Sequence, residues 1–289
     1  MTLERRIGDK IGTDEALFEQ GNFDGSVYPD LPDIGPEIDH GIEDSIRRRV
    51  QGRSARGGLI VRTVAAQSLD AERITRKIEV AGNLFRGSEG VRGALLCVSG
   101  GDRGRKSRKS ELKDSQFILE KATSMRSRGE IPSHVDLWAV ANPMQDSVDS
   151  FRWKVDAGAR CFLTQPPFLA GRSQAWFEQV GGTEQARDGN IGVLVGIPII
   201  TSGKNLAFWF DLCGVSDLAE TKPLLTSFPG EAFTDPGAGS ENLDAVIEWN
   251  VSFIRDVASR MPGVMGMHVM PVTASGLRMT RQVMERAAM

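Results

Sequence analysis

From Gly58 onward, short apolar runs alternate with amphipathic stretches at a steady interval. "GLIVRTVAA" (58–66) predicts a buried strand, followed by a helix from Asp70 to about Phe85. "GALLCVS" (93–99) predicts the next strand, and a helix runs from about Leu112 to Arg128. "HVDLWAVA" (134–141), "RCFLTQ" (160–165), "IGVLVGIPII" (191–200) and "GMHVMPV" (266–272) predict four more strands. The helices between them include "DSVDSFRWKVDAGA", "QAWFEQV" and the long "LDAVIEWNVSFIRDVASR". Buried strands alternating with amphipathic helices predict parallel βαβ units, and so a TIM-like (β/α)8 α/β barrel. Six core strands are readable, whereas the closed barrel has eight.

Residues 1–57 break this rhythm. Acidic residues, Gly and Pro dominate as far as Asp44, and a cluster of arginines follows (Arg47, Arg48, Arg49, Arg53, Arg56). "IEDSIRRRV" suits a helix, with acids in its first turn and arginines in its last. No run before Gly58 reads as a buried parallel strand. The expected division is therefore an N-terminal arm or cap, 1–57, and a barrel, 58–289. Six parallel strands leave two open edges, so the arm supplies irregular edge strands or a partner subunit or second copy completes the barrel.

Composition narrows the function classes. A formal net charge of −3 gives no electrostatic case for nucleic acid or an anionic membrane. No apolar run approaches a membrane span and "MTLERRIGDK" lacks a signal-peptide core, so the expected location is the cytoplasm. The cysteines Cys97, Cys161 and Cys213 are far apart and read as buried free thiols. The histidines His40, His134 and His268 are isolated and assemble no metal triad.

The working face of such a barrel lies at the C-terminal strand ends. Gly100, Gly101 and Asp102, Asn142 and Pro143, Thr164 and Gln165, and Thr201 and Ser202 stand there. Gly100 and Gly101 allow close approach of backbone to a ligand, and the Asp102 carboxylate stabilises a cation or caps a turn. Gln165 presents a donor and an acceptor on one amide, which suits a heterocycle edge or neighbouring loop backbone. "DRGRKSRKS" (102–110) is a solvated basic loop or a binder of diphosphate; it lacks the P-loop spacing.

"RWKVDAGARCFLTQPPF" resembles the segment of methylenetetrahydrofolate reductases that reads Lys-Val-Asp-Ala-Gly-Ala, an apolar strand, then Thr-Gln and a phenylalanine. "GALLCVSGGD", "AVANPMQDS" and "VGIPIITSGKNLAFW" resemble other strand ends of that family more diffusely, over about residues 59–285. The resemblance implies a flavoprotein barrel in which flavin, FAD reduced by NAD(P)H, passes hydride to 5,10-methylenetetrahydrofolate to give 5-methyltetrahydrofolate. It implies Asp102 as the catalytic carboxylate near pterin and flavin, and Gln165 as the pterin-binding amide. Trp209 and Phe168 become the apolar walls of the folate site. Lys154, Gly100, Gly101, Asp102 and Asn142 become the flavin contacts.

The chain departs from that family at several positions. The family's first strand carries a Glu before Phe-Phe-Pro-Pro, and that Glu protonates the folate nitrogen; residues 1–57 hold no such motif. Glu37 and Glu43 are the nearest substitutes. Gly100 replaces an arginine, Asn142 a tyrosine, and Met270 and Ala274 a tyrosine and an arginine. A non-redox folate-binding subunit that needs a partner, or a pterin-dependent methyltransferase, are the alternatives.

Overall fold

The computed structural model describes residues 1–5, 23–30, 36–51, 58–66, 69–88, 90–99, 114–230, 240–261 and 266–288. Eight parallel strands close into a barrel in chain order: β1 (Thr2–Glu4), β2 (Gly25–Tyr28), β3 (Leu59–Ala65), β4 (Arg92–Val98), β5 (Asp136–Ala141), β6 (Cys161–Thr164), β7 (Gly192–Pro198) and β8 (Gly266–Met270). The last six match the apolar runs, as the alternation predicted.

The first two come from the segment in which no strand was legible. β1 pairs with β2 on one side (Glu4 opposite Val27) and with β8 on the other (Thr2 opposite His268). Residues 1–57 thus supply two strands of the barrel wall, as the edge-strand alternative expected, and a helix (Pro36–Gln51) outside it. The ring also closes within one chain, so no partner subunit is needed to complete it. Thr2, Glu4, Gly25 and Ser26 leave these two strands without an apolar run, and their paired neighbours decide their conformation.

Strand parity sorts the side chains into two cores. Val27, Val61, Ala94, Leu96, Trp138 and Leu163 pack together inside the barrel. Leu3, Ile60, Val64, Leu95, Ala139, Phe162 and Val195 face the surrounding helices. Gly196 of β7, opposite His268, has no room for a side chain: a Cβ there would lie 2.2 Å from the Thr164 carbonyl oxygen and 2.8 Å from Met270 Cε.

The helices are placed by their caps and apolar faces. They include α1 (Pro36–Gln51), α2 (Ala71–Asn83), α3 (Ser115–Ser127), α4 (Val148–Asp156), α5 (Ala170–Gly181), α6 (Glu184–Arg187), α7 (Gly203–Leu212), α8 (Thr221–Ser227), α9 (Ser240–Arg260) and α10 (Ala274–Ala287). Asp70, Asp114, Ser147, Ser202 and Thr273 each accept a hydrogen bond from a first-turn N–H, which satisfies a donor the helix leaves open. α4 stops at Gly158, whose φ of +113° suits glycine; a Cβ there would meet Thr123 Oγ1 at 2.3 Å. The Asp-Ala-Gly-Ala stretch is thus a helix stop fitted against α3.

Asn250 of α9 clamps the chain beyond β7. Its Oδ1 accepts from Ile200 N at 2.8 Å, and its Nδ2 donates to the Ile200 and Val246 carbonyls, both at 2.8 Å. The side chain is 1% exposed. Asn250→Ala strands both backbone groups of Ile200 away from water and should destabilise the fold by about 1–3 kcal/mol. Chemical denaturation checks this, with the midpoint falling and the slope unchanged.

Candidate functional site at the C-terminal mouth

Inward parity at the tops of the strands brings a small polar set to the barrel mouth. Thr63 on β3 is inward, opposite Leu96, and Met270 on β8 is inward, opposite Pro198. Gln165 follows β6 directly, its N–H donating to the Ala141 carbonyl at 2.8 Å. Thr164, one step earlier, is turned to the packed side, where its Oγ1 accepts from Gly196 N at 3.1 Å.

Glu4 is the residue that sequence reasoning missed. It ends β1 on the same parity as Val27 of the inner core. Among the described residues no hydrogen bond or ion pair reaches its carboxyl, and the residue as a whole is partly buried. Loss of hydration raises its pKa from 4.5 to about 7. A carboxylic acid half-protonated near neutral pH can give or take a proton at the mouth. One turn of strand inward, His268 is buried, with Nδ1 3.0 Å from Thr2 Oγ1. Burial lowers its pKa to about 3, so it is a neutral core histidine, as its apolar surroundings predicted.

The expected flavin contacts fare differently. Gly100, Gly101 and Asp102, and with them the basic loop 102–110, lie outside the described residues. Lys154 is buried, and its Nζ donates to the Val140 carbonyl at 2.8 Å and pairs with Asp146 at 3.3 Å. Asn142 Nδ2 donates to the Cys213 carbonyl at 2.8 Å, while its Oδ1 accepts from Met144 N at 3.1 Å. Both side chains have polar atoms engaged in holding the β5–α4 loop, so as placed they do not fit a flavin-contacting role.

The expected folate walls also sit elsewhere. Phe168 is buried against Phe210 and Phe253, with ring centroids 5.1 and 5.4 Å away. Trp209 on α7 is 3% exposed, its indole N–H without a hydrogen-bond partner among the described residues. Both belong to the core between barrel and helices, where large apolar side chains on a helix face or after a Pro-Pro turn gain most by burial. Glu43, a proposed acid, is on α1 outside the barrel wall and pairs with Arg47 at 3.5 Å. Nothing is described of the Glu37 side chain. Cys97, Cys161 and Cys213 are free thiols, as expected.

A cavity of about 310 Å³ lies outside the wall between α1 and α2. Two ion pairs line it: Arg62 pairs with Asp39 and donates to the Pro29 carbonyl, and Lys77 pairs with Asp30 at 2.8 Å. Asp30 in turn accepts from Ala65 N at 2.8 Å. These pairs fasten the tops of β2 and β3 to the helices. Among the described residues no cluster of His, Cys, Asp and Glu could hold a metal ion, and no helix is long and apolar enough to cross a membrane.

Barrel and mouth together define a TIM-type (β/α)8 protein. Among solved structures, a xylanase from Cellvibrio japonicus is similar over 93% of this chain and 85% of its own, with 9% identity and a TM-score of 0.52. A chitinase-like lectin from tamarind is similar over 99% of this chain and 98% of its own, with 10% identity and a TM-score of 0.50. At such identities the likeness is one of fold. No protein-family model and no curated protein sequence matches the chain.

Two predictions follow from the buried groups. Lys154→Met leaves the Val140 carbonyl and Asp146 without their charged donor and should destabilise the protein by about 1–3 kcal/mol, read as a lower denaturation midpoint. The second concerns pH. Glu4 holds a proton in the folded state that the unfolded chain releases, so its contribution to stability declines as pH rises from 4.5 to about 7. His268 refuses a proton that the unfolded chain takes up, so its contribution declines as pH falls from 6.5 toward about 3. The two oppose each other between pH 4.5 and 6.5. Glu4→Gln removes one of them, and its melting temperature should fall relative to the parent's as pH is lowered through that window. Parallel curves for the two proteins would contradict the placement of Glu4.

Proposed function

We propose that this chain binds a reduced folate at the C-terminal mouth and acts as an oxidoreductase of the methylenetetrahydrofolate reductase type. The observation that carries the reading is Glu4: an inward carboxyl at the end of the first strand, without a partner among the described residues and with its pKa raised to about 7. In the family that residues 152–168 resemble, the acid that protonates the folate nitrogen stands on the first strand. Here that acid lacks the Phe-Phe-Pro-Pro that follows it in the family. Gln165, on the strand that bears the resemblance, supplies an amide at the same mouth.

The chemistry asked of these residues is limited. Glu4 donates its proton to the folate nitrogen as the bond from that nitrogen to the methylene carbon breaks. The bonding pair stays on nitrogen, and the methylene carbon becomes part of a cationic iminium. That carbon then needs a hydride to become the methyl group, and a reduced cofactor, flavin in the resembled family, would supply it if bound at the mouth. Asp102 is the carboxylate expected beside the cation.

A second reading, a folate-binding subunit without redox chemistry, is favoured by one observation: Lys154 and Asn142 are tied to the chain itself. The absorbance spectrum of the purified protein separates the two, since flavin bands belong only to the first. For the first reading, Glu4→Gln should lower kcat by about 10²–10⁴-fold. It should also abolish the decline of kcat above pH 7 that titration of the acid imposes. Gln165→Ala should weaken binding of 5-methyltetrahydrofolate by about 1–3 kcal/mol. An unchanged rate in Glu4→Gln would remove the acid role.

A further inference from the structure

Gln165 is held from above by a turn of the same chain. After α7, the chain turns at Cys213 and Gly214, and this turn is fastened to the top of β5. Asn142 Nδ2 donates to the Cys213 carbonyl at 2.8 Å, and Gln145 Nε2 donates to the Gly214 carbonyl. Gly214 has a φ of +67°, and a Cβ on it would approach Gln145 Nε2 at 3.0 Å, so the turn accepts only glycine without rearrangement. With its backbone pinned on the β5 side, Cys213 directs its side chain toward β6. Its Sγ is 3.7 Å from Gln165 Oε1, in donor geometry.

We infer that Cys213 is a positioning residue for the mouth: its thiol occupies Oε1 of Gln165 and so turns the amide NH2 toward the ligand. Burial favours this arrangement, because it pushes the thiol up to about 12 and keeps the S–H proton in place at neutral pH. An S–H group is a weak donor, but here its partner is fixed from both sides, by the turn and by the end of β6. No hydrogen bond from Gln165 Nε2 is made among the described residues, and the side chain keeps accessible surface. The amide therefore meets a ligand as a donor. The atom it recognises is an acceptor, a ring nitrogen or a carbonyl oxygen on a heterocycle edge, whereas a free glutamine would accept either polarity. The specificity part of this inference rests on the folate reading above; the thiol–amide contact stands without it.

The test has two arms. In the first, the infrared S–H stretch of Cys213 is assigned as the band that disappears in Cys213→Ala. In Gln165→Ala that band should move to higher frequency as the thiol loses its acceptor. An unmoved band overturns the inference, whether or not the protein binds folate. In the second arm, binding of 5-methyltetrahydrofolate is titrated in Cys213→Ala, Gln165→Ala and the double variant. Cys213→Ala should weaken binding roughly three- to tenfold in the parent background and have no further effect once Gln165 is gone. Cys213→Ser, which retains a donor, should restore part of the loss. Equal weakening by Cys213→Ala in both backgrounds overturns the positioning role, since a general packing defect would act regardless of Gln165. A shifted S–H band in a parent that binds no folate would retain the latch and remove the folate reading.

Discussion

Ring closure through β1 is the constraint on which the rest of the structure depends. Thr2, Leu3 and Glu4 pair with β2 on one side, and Thr2 and Leu3 pair with β8 on the other, so a three-residue strand joins the two ends of the sheet. Without it the sheet would have two open edges, each with a row of unpaired backbone groups. With it every strand end is brought to one rim, and the parity of each strand is fixed around the whole circle. Leu3 then goes to the outer core and Glu4 to the mouth.

What could be read from the sequence follows from the apolar content of each strand. β3 to β8 are runs in which apolar residues recur over enough positions to declare a buried strand. β1 and β2 are not such runs: β2 is as long as β6, but Thr2, Glu4, Gly25 and Ser26 dilute the apolar content of both. Their conformation is imposed by neighbours that lie far away in sequence, His268 on one side and Leu59 on the other. Local patterning carries no trace of such pairing. The same reason hid Glu4: next to Arg5 and Arg6 it reads as part of a charged, solvated terminus, and only closure places it over the barrel interior.

The candidate site was legible in part. Gln165 was expected at the top of β6, and it is there, because one strand end in a βαβ unit suffices to locate it. Lys154 and Asn142 were expected near the same rim, and they are near it, yet their polar atoms are engaged by Val140, Asp146, Cys213 and Met144. A sequence shows which groups reach a region but not which partner captures them there. Trp209 and Phe168 make the complementary point: an aromatic side chain that could line a ligand is equally suited to a core, and buried area decides between them.

The strand that seals the barrel is also the strand that carries its ionisable carboxyl. Any local opening that releases Thr2 to Glu4 from β2 and β8 would break the ring and withdraw the acid in the same event. On the proposed function, a ligand held against Glu4 would bind only the closed ring and shift the population toward it, which would link occupancy of the mouth to integrity of the fold. Local unfolding at this seam would open the mouth while most of the barrel remained intact, so three residues decide whether the interior stays enclosed.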